Sequence, residues 1–75
     1  MARMEKIWIS KTAFGGCSYS AYTDKATVSV RRGELRTSGH REILRLSINE
    51  WNELLDQNGE PSFGRIENLA HEWRH

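Results

Sequence analysis

The residues best suited to chemistry in this chain are histidines, one cysteine and several carboxylates. His71, Glu72 and His75 match the pattern His-Glu-x-x-His, in which two histidines on one helical face bind zinc and the glutamate acts as a base. The sequence offers no evident third ligand. We therefore prefer to interpret this segment as a charged helix end, and we expect no metal site.

Cys17 is a candidate nucleophile, with His40 or His71 as its base. A single cysteine in a strand is more often a small apolar residue of the interior, and we favour that reading. Glu50 and Glu53 are predicted to lie on a solvated helix surface. No glycine pattern suited to phosphate binding is present. We expect no catalytic residue, no cofactor and no enzymatic activity.

Four stretches within residues 4–46 have the apolar alternation of β-strands. In the first, Ile7 and Ile9 share one face, so Trp8 is predicted to point to the other. In the last, Ile43 is predicted to point outward with the neighbouring arginines. The inward face is predicted to carry Tyr19, Ala21, Ala26, Val28, Val30, Leu44 and Leu46, and the outward face Trp8, Ser10, Ser18, Ser20, Tyr22, Thr27, Ser29 and Arg31.

Two amphipathic helices are predicted at residues 47–57 and 62–74. Ser47 lies three residues before Glu50, the spacing of a capping box. Asn58 and Gly59 are predicted to end the first helix, and Ser62 to cap the second. Each helix has one apolar stripe, so both should cover one face of the sheet. The apolar stripes consist of Ile48, Trp51, Leu54 and Leu55, and of Phe63, Ile66, Leu69, Ala70 and Trp73.

These patterns predict an α+β fold in which two short C-terminal helices pack on one face of a four-stranded antiparallel sheet. Residues 1–75 are expected to form one domain, since 75 residues suffice for only one small core. Short connections favour pairing of consecutive strands, while the strand order itself stays open. No segment long and apolar enough for a membrane helix and no signal peptide is expected.

The net charge of +1 conceals an uneven distribution. Residues 1–46 carry nine Lys/Arg and four Asp/Glu, and residues 47–75 carry two Lys/Arg and six Asp/Glu. Trp8 and Tyr22 on the outward face are candidate anchors for a partner, or are shielded by neighbouring groups. Near them, Arg31, Arg32, Arg41 and Arg45 suggest an alternative function: a small module that binds single-stranded nucleic acid. A structural or self-associating protein is a third hypothesis, although we expect a monomer.

The segment from Ser47 to Asn68 resembles the end of a small phage anti-CRISPR protein family, which inhibits the type I-F (Csy) surveillance complex. The run Gly64-Arg65-Ile66-Glu67-Asn68 is identical to that family's opening of the last helix, and Ser47 and Pro61 keep a similar spacing. The resemblance implies the same four-stranded, two-helix fold. It also implies a non-enzymatic inhibitor in the host bacterial cytoplasm. Such a protein would bind the backbone subunit of the complex and block guide RNA from pairing with target DNA.

The resemblance places the contact on the exposed sheet face. Trp8 and Tyr22 stand where the family has two contacting tyrosines, and Ser10 lies in the matching part of the first strand. The family's third-strand glutamate has no direct counterpart, and Glu34 is the nearest substitute. The partner-binding residues predicted on this basis are Trp8, Ser10, Ser20, Tyr22, Arg31 and Glu34.

Overall fold

The computed structural model describes residues 4–11, 16–34 and 40–73. It contains β1 (Glu5–Ile9), β2 (Cys17–Thr23), β3 (Thr27–Glu34), β4 (Arg41–Ser47), α1 (Ile48–Leu54) and α2 (Phe63–Trp73). The strands form one antiparallel sheet in the order β1-β2-β3-β4. The predicted α+β fold, with four strands followed by two helices, is therefore confirmed.

The core lies between the sheet and the two helices. α1 covers β3 and β4, and α2 lies over β4. Alternation in β2 and β3 brings Tyr19, Ala21, Val28 and Val30 to this side, as predicted. Val28 and Val30 are fully buried, and each burial stabilises the fold by about 1.5–3 kcal/mol. The helices contribute Trp51, Leu54, Ile66 and Ala70.

An irregularity in β1 changes the face on which Trp8 lies. Lys6 pairs with Tyr22, but Trp8 pairs with Ala21, so the register shifts between Lys6 and Trp8. A bulge of this kind turns the residues beyond it to the opposite face. The prediction that Trp8 points outward is wrong: its ring packs 5.9 Å from that of Trp51 and 6.1 Å from that of Phe63.

A second register shift occurs between β3 and β4. Val30 pairs with Leu44 and Arg31 with Glu42, which leaves Ile43 as the extra residue. Ile43 is 5% exposed and belongs to the core. Its predicted outward position is therefore wrong, because the bulge brings both Ile43 and Leu44 to the helix side. Ala26, predicted to be inward, is exposed in the turn before β3.

α1 begins as predicted and ends earlier. The Ser47 hydroxyl accepts the backbone N–H of Glu50, and the Glu50 carboxylate accepts that of Ser47. The helix ends at Leu54, three residues before the predicted boundary, because Leu55 is extended and pairs with Pro61. Gly59, at φ +76°, lies in the following turn and does not cap the helix.

α2 presents Ile66 and Ala70 to the core and keeps Phe63 and Leu69 partly buried. Its Trp73 is 47% exposed, so the predicted burial of this ring is wrong. Trp73 lies at the helix end, where the last turn passes the edge of the sheet formed by Leu44 and Leu46. Among the described residues, none of the helices is both long and apolar enough to cross a lipid bilayer.

Candidate functional site

The sheet surface opposite the helices, called here the open face, is the main candidate site. Register pairs place Lys6 with Tyr22, Tyr22 with Ser29, and Ser29 with Arg45 on this side. The same alternation adds Ile9 and Ser20 on β1 and β2, and Arg31 and Glu42 on β3 and β4. The described open face consists of Lys6, Ile9, Ser18, Ser20, Tyr22, Ser29, Arg31, His40, Glu42 and Arg45.

Tyr22 is the aromatic centre of the open face. The guanidinium carbon of Arg31 lies 4.4 Å from the centroid of its ring, and Nζ of Lys6 lies 5.8 Å from it. The two cations come from β3 and β1, the strands on either side of β2. Such cation–π contacts hold the ring in place and are worth about 0.5–1 kcal/mol each at exposed sites. Tyr22 is therefore a restrained, partly buried aromatic ring between two positive charges.

His40 lies over two serines of β2. Its Nδ1 is 3.1 Å from the hydroxyl of Ser20, and its Nε2 is 3.2 Å from the hydroxyl of Ser18. A neutral imidazole donates through one ring nitrogen and accepts through the other, and each hydroxyl can take either role. Ser20 is only 2% exposed. Its hydroxyl thus orients His40, and Ser20 cannot itself be a broad contact surface for a partner.

Glu42 is the acidic group of the open face. Its carboxylate accepts hydrogen bonds from the Ser29 hydroxyl and from Arg45, whose Nη2 lies 3.0 Å away. Partial burial acts to raise the pKa of Glu42, but these hydrogen bonds and the charges of Arg45 and Arg31 lower it more. The net result is a pKa below the ordinary value, which favours an ionised Glu42 carboxylate that pairs with Arg45 and is attracted by the charge of Arg31.

The predicted basic surface is only partly present, because Arg32 lies on the opposite face. Its guanidinium donates to both carboxylate oxygens of Glu67 on α2. Burial, followed by the charge of Glu67, raises the pKa of Tyr19 beside this pair, while Arg32 acts in the opposite direction. Arg32 therefore fixes α2 to the sheet. Its assignment to a nucleic-acid surface is wrong.

The structure brings together some of the predicted contact residues and separates others. Tyr22 and Arg31 meet on the open face, whereas Trp8 lies among the helices. The Ser10 hydroxyl accepts the backbone N–H of Tyr19 at 2.9 Å, so it serves the β1–β2 connection. The side chain of Glu34 lies outside the described residues, and its predicted contact stays a prediction.

Sequence reasoning missed four open-face residues, namely Lys6, Ile9, His40 and Glu42, the last because the bulge at Ile43 shifts its register. Lys6 could have been found, because regular alternation from Trp8, which was predicted to point outward, also predicts an outward Lys6. The register shift moves Trp8 to the helix side and leaves Lys6 beside Tyr22. Ile9, 55% exposed, was grouped with Ile7 on the face opposite an outward Trp8, and the register shift in β1 places it on the open face. His40 had no signal, since its contacts with Ser18 and Ser20 join segments that only the fold brings together.

A shallow depression of about 280 Å³ lies on the open face beside the aromatic ring. Its lining consists of Lys6, Ile9, Ser20, Tyr22, Arg31 and His40. Within the described part of the chain, no group of three or more metal-binding side chains converges. His75 of the His-Glu-x-x-His segment lies outside the described residues. The arrangement suits recognition of a charged and apolar surface.

Comparisons with models of known protein families, with curated proteins and with solved structures found no match to this chain.

Proposed function

We propose that this chain is a phage-encoded anti-CRISPR inhibitor that acts without enzymatic chemistry. It binds the backbone subunit of a type I CRISPR surveillance complex through its open face and blocks guide RNA from pairing with target DNA. The observation that carries the proposal is Tyr22, a ring held between Lys6 and Arg31 on the side of the sheet that the helices leave uncovered.

The composition of this surface favours a protein partner. Tyrosine and arginine are enriched among the residues that dominate interface energies. Tyrosine offers a large contact area with few rotatable bonds, and arginine offers a planar guanidinium with several hydrogen-bond donors. Beside Tyr22 and Arg31, Ile9 offers an apolar side chain that is 55% exposed. An aromatic anchor that is already restrained loses little conformational entropy on binding.

The segment that carries the family resemblance has a structural role that supports the same assignment. Ile66 is completely buried, and Glu67 binds Arg32 of β3. Phe63, just before the segment, packs 5.2 Å from Tyr19. A segment with these contacts determines how α2 sits on the sheet. Its likeness to the family therefore supports a similar scaffold, while the partner contact is expected on the other side.

The mechanism is obstruction by a small rigid body. A domain with principal extents of 31 × 30 × 28 Å, bound beside the guide RNA, occupies the space that an incoming DNA strand needs. One copy can act wherever the repeated backbone subunit exposes the same surface. No covalent step or cofactor enters this mechanism.

The test is co-purification of the chain with tagged type I surveillance complexes of several subtypes, followed by measurement of their binding to target DNA. We expect capture by at least one subtype and loss of DNA binding by that complex. Tyr22→Ala should weaken capture. Trp73→Ala is the matched control, because Trp73 is a 47% exposed aromatic residue on α2, away from the open face. Failure of every complex to capture the folded chain would sink the proposal.

A further inference from the structure

We propose that the open face docks on an acidic protein surface, in which carboxylates lie next to an apolar side chain. This inference rests on the proposed function and specifies the part of the partner that is contacted. It follows from three observations: the positive charges around Tyr22, the guanidinium of Arg31 that lies over the Tyr22 ring, and the exposed side chain of Ile9.

The described open face has an excess of positive charge. Lys6, Arg31 and Arg45 are opposed by Glu42 alone, and Arg45 is paired with that carboxylate at 3.0 Å. Neither Lys6 nor Arg31 forms an ion pair with any described residue. Both lie beside Tyr22, where a carboxylate of the partner would be attracted by two positive charges at once. Complementary charge of this kind accelerates association and determines orientation.

The same geometry argues against a nucleic acid as the occupant. Single strands bind through successive bases stacked on free aromatic rings. The aromatic rings of the described open face are those of Tyr22 and His40. Arg31 lies over the Tyr22 ring at 4.4 Å, so a base would have to displace the guanidinium, and the His40 ring is held by Ser18 and Ser20. Glu42 would repel phosphates, and Arg32 is bound to Glu67 on the other side of the sheet.

The apolar part of the surface points in the same direction. Ile9 is 55% exposed and lines the depression with Tyr22 and Lys6. Covering such a side chain with partner atoms is favourable by roughly 25 cal/mol per Å² of apolar area. A phosphate backbone offers little apolar surface for this purpose. A protein segment with one apolar side chain between acidic residues can cover Ile9 and form ion pairs with Lys6 and Arg31.

The charge also indicates where the inhibitor sits. The path that holds guide RNA and DNA must itself be basic in order to neutralise phosphates. A positively charged open face is repelled from that path. The docking surface therefore lies on an acidic region beside it, and the body of the domain, not an imitation of nucleic-acid charge, obstructs the DNA.

The experiment compares charge reversals in titrations of the captured surveillance complex with the purified chain. Lys6→Glu and Arg31→Glu test the open face, and Arg65→Glu is the matched control, since Arg65 is an exposed cation on α2. We expect each open-face reversal to weaken binding by at least about tenfold and the control to bind like the wild type. Added salt should weaken wild-type binding more than that of the reversals. Thermal unfolding confirms that each variant is folded.

The outcomes separate this inference from the proposed function. Wild-type binding together with unchanged affinity of both reversals overturns the inference and leaves the proposed function standing. Absence of wild-type binding to every complex overturns both. A labelled single-stranded oligonucleotide is titrated in parallel. Tight binding of it, lost in Arg31→Glu, would make the open face a nucleic-acid surface and overturn the inference as well.

Discussion

The indole N–H of Trp8 donates a hydrogen bond to the Glu60 carboxylate, with 2.6 Å between Nε1 and Oε2. This contact joins β1 to the connection between α1 and α2. It requires Trp8 to face the helices, where Trp51 and Phe63 pack against its ring. Trp8, which the sequence resemblance suggested as a partner contact, thus packs against the core of this domain.

Trp8→Ala should therefore lower stability, by about 3 kcal/mol, the low end of the range for aromatic truncations because Trp8 is only partly buried. Trp8→Phe keeps a ring against Trp51 but loses the hydrogen bond to Glu60, and should cost roughly 1–2 kcal/mol. Urea unfolding measures both values. Trp8→Phe should still bind the surveillance complex. A folded Trp8→Phe without affinity would restore the role that the sequence suggested.

Tyr22→Ala should have the opposite effect to Trp8→Ala, with a small loss of stability and a large loss of affinity. The ring is partly buried on the uncovered side of the sheet, where it contacts Lys6 and Arg31, so the free energy of unfolding should fall by only about 1–2 kcal/mol. Affinity for the complex should fall by about tenfold or more, as for a central aromatic anchor. Calorimetric titration compares Tyr22→Ala with Tyr22→Phe, which retains the ring and should bind well. Equal affinities of wild type and Tyr22→Ala would remove Tyr22 from the interface.

The two helical tryptophans should respond differently to truncation. Trp51 is 3% exposed, and Trp51→Ala should cost about 3–5 kcal/mol through the cavity it leaves. Trp73 is 47% exposed, and Trp73→Ala should cost about 1 kcal/mol or less. Thermal and urea unfolding provide the comparison. Similar losses for both variants would mean that Trp73 has a buried environment in solution.

Glu42 should contribute to the loss of stability in acid. Its pKa is below the ordinary 4.5, so the folded protein binds this proton less readily than the unfolded chain does. Its stabilising effect is therefore complete above pH 4.5 and disappears as the pH falls through the lowered value. Urea unfolding across this range should show a shallower acid decline for Glu42→Gln than for the wild type.

Ser29→Ala gives a second measurement of the same effect. It removes the hydroxyl that donates to Glu42 and leaves the pair with Arg45 intact. The acid decline should become shallower than in the wild type, but less so than in Glu42→Gln. The decline will not vanish in either variant, because backbone hydrogen bonds from Thr27 and Ala26 also lower the pKa of Asp24. An unchanged profile in both variants would contradict the assigned role of Glu42.

Much of the architecture was predictable because its signals are local. The alternation of Tyr19, Ala21, Val28 and Val30 requires only the two-residue period of a strand, and it assigns the core face of β2 and β3. The capping box of Ser47 and Glu50 depends on residues three apart, so the start of α1 could be located from the sequence.

The candidate site was less predictable, because face assignment at the sheet edges depends on pairing. The bulges at Lys6/Trp8 and at Ile43 insert one residue relative to the neighbouring strand, and each changes which side chains reach the helices. Alternation within a strand cannot reveal such a shift. Trp8 was therefore assigned to the wrong face, while Tyr22, on a regular inner strand, was assigned to the correct one.

The sequence by itself determined the succession of four strands and two helices along the chain, the apolar faces of the inner strands and the total charge of the side chains. The tertiary structure decided which charges remain available: Arg32 binds Glu67 across 35 residues, whereas Arg31 lies over Tyr22. The physical reason is that the adjacent residues Arg31 and Arg32 point to opposite faces of the sheet. The packing of α2 places the Glu67 carboxylate on the face of Arg32. Arg32 and Trp8 make contacts within the fold, so the open face presents Tyr22, Lys6 and Arg31 to a partner.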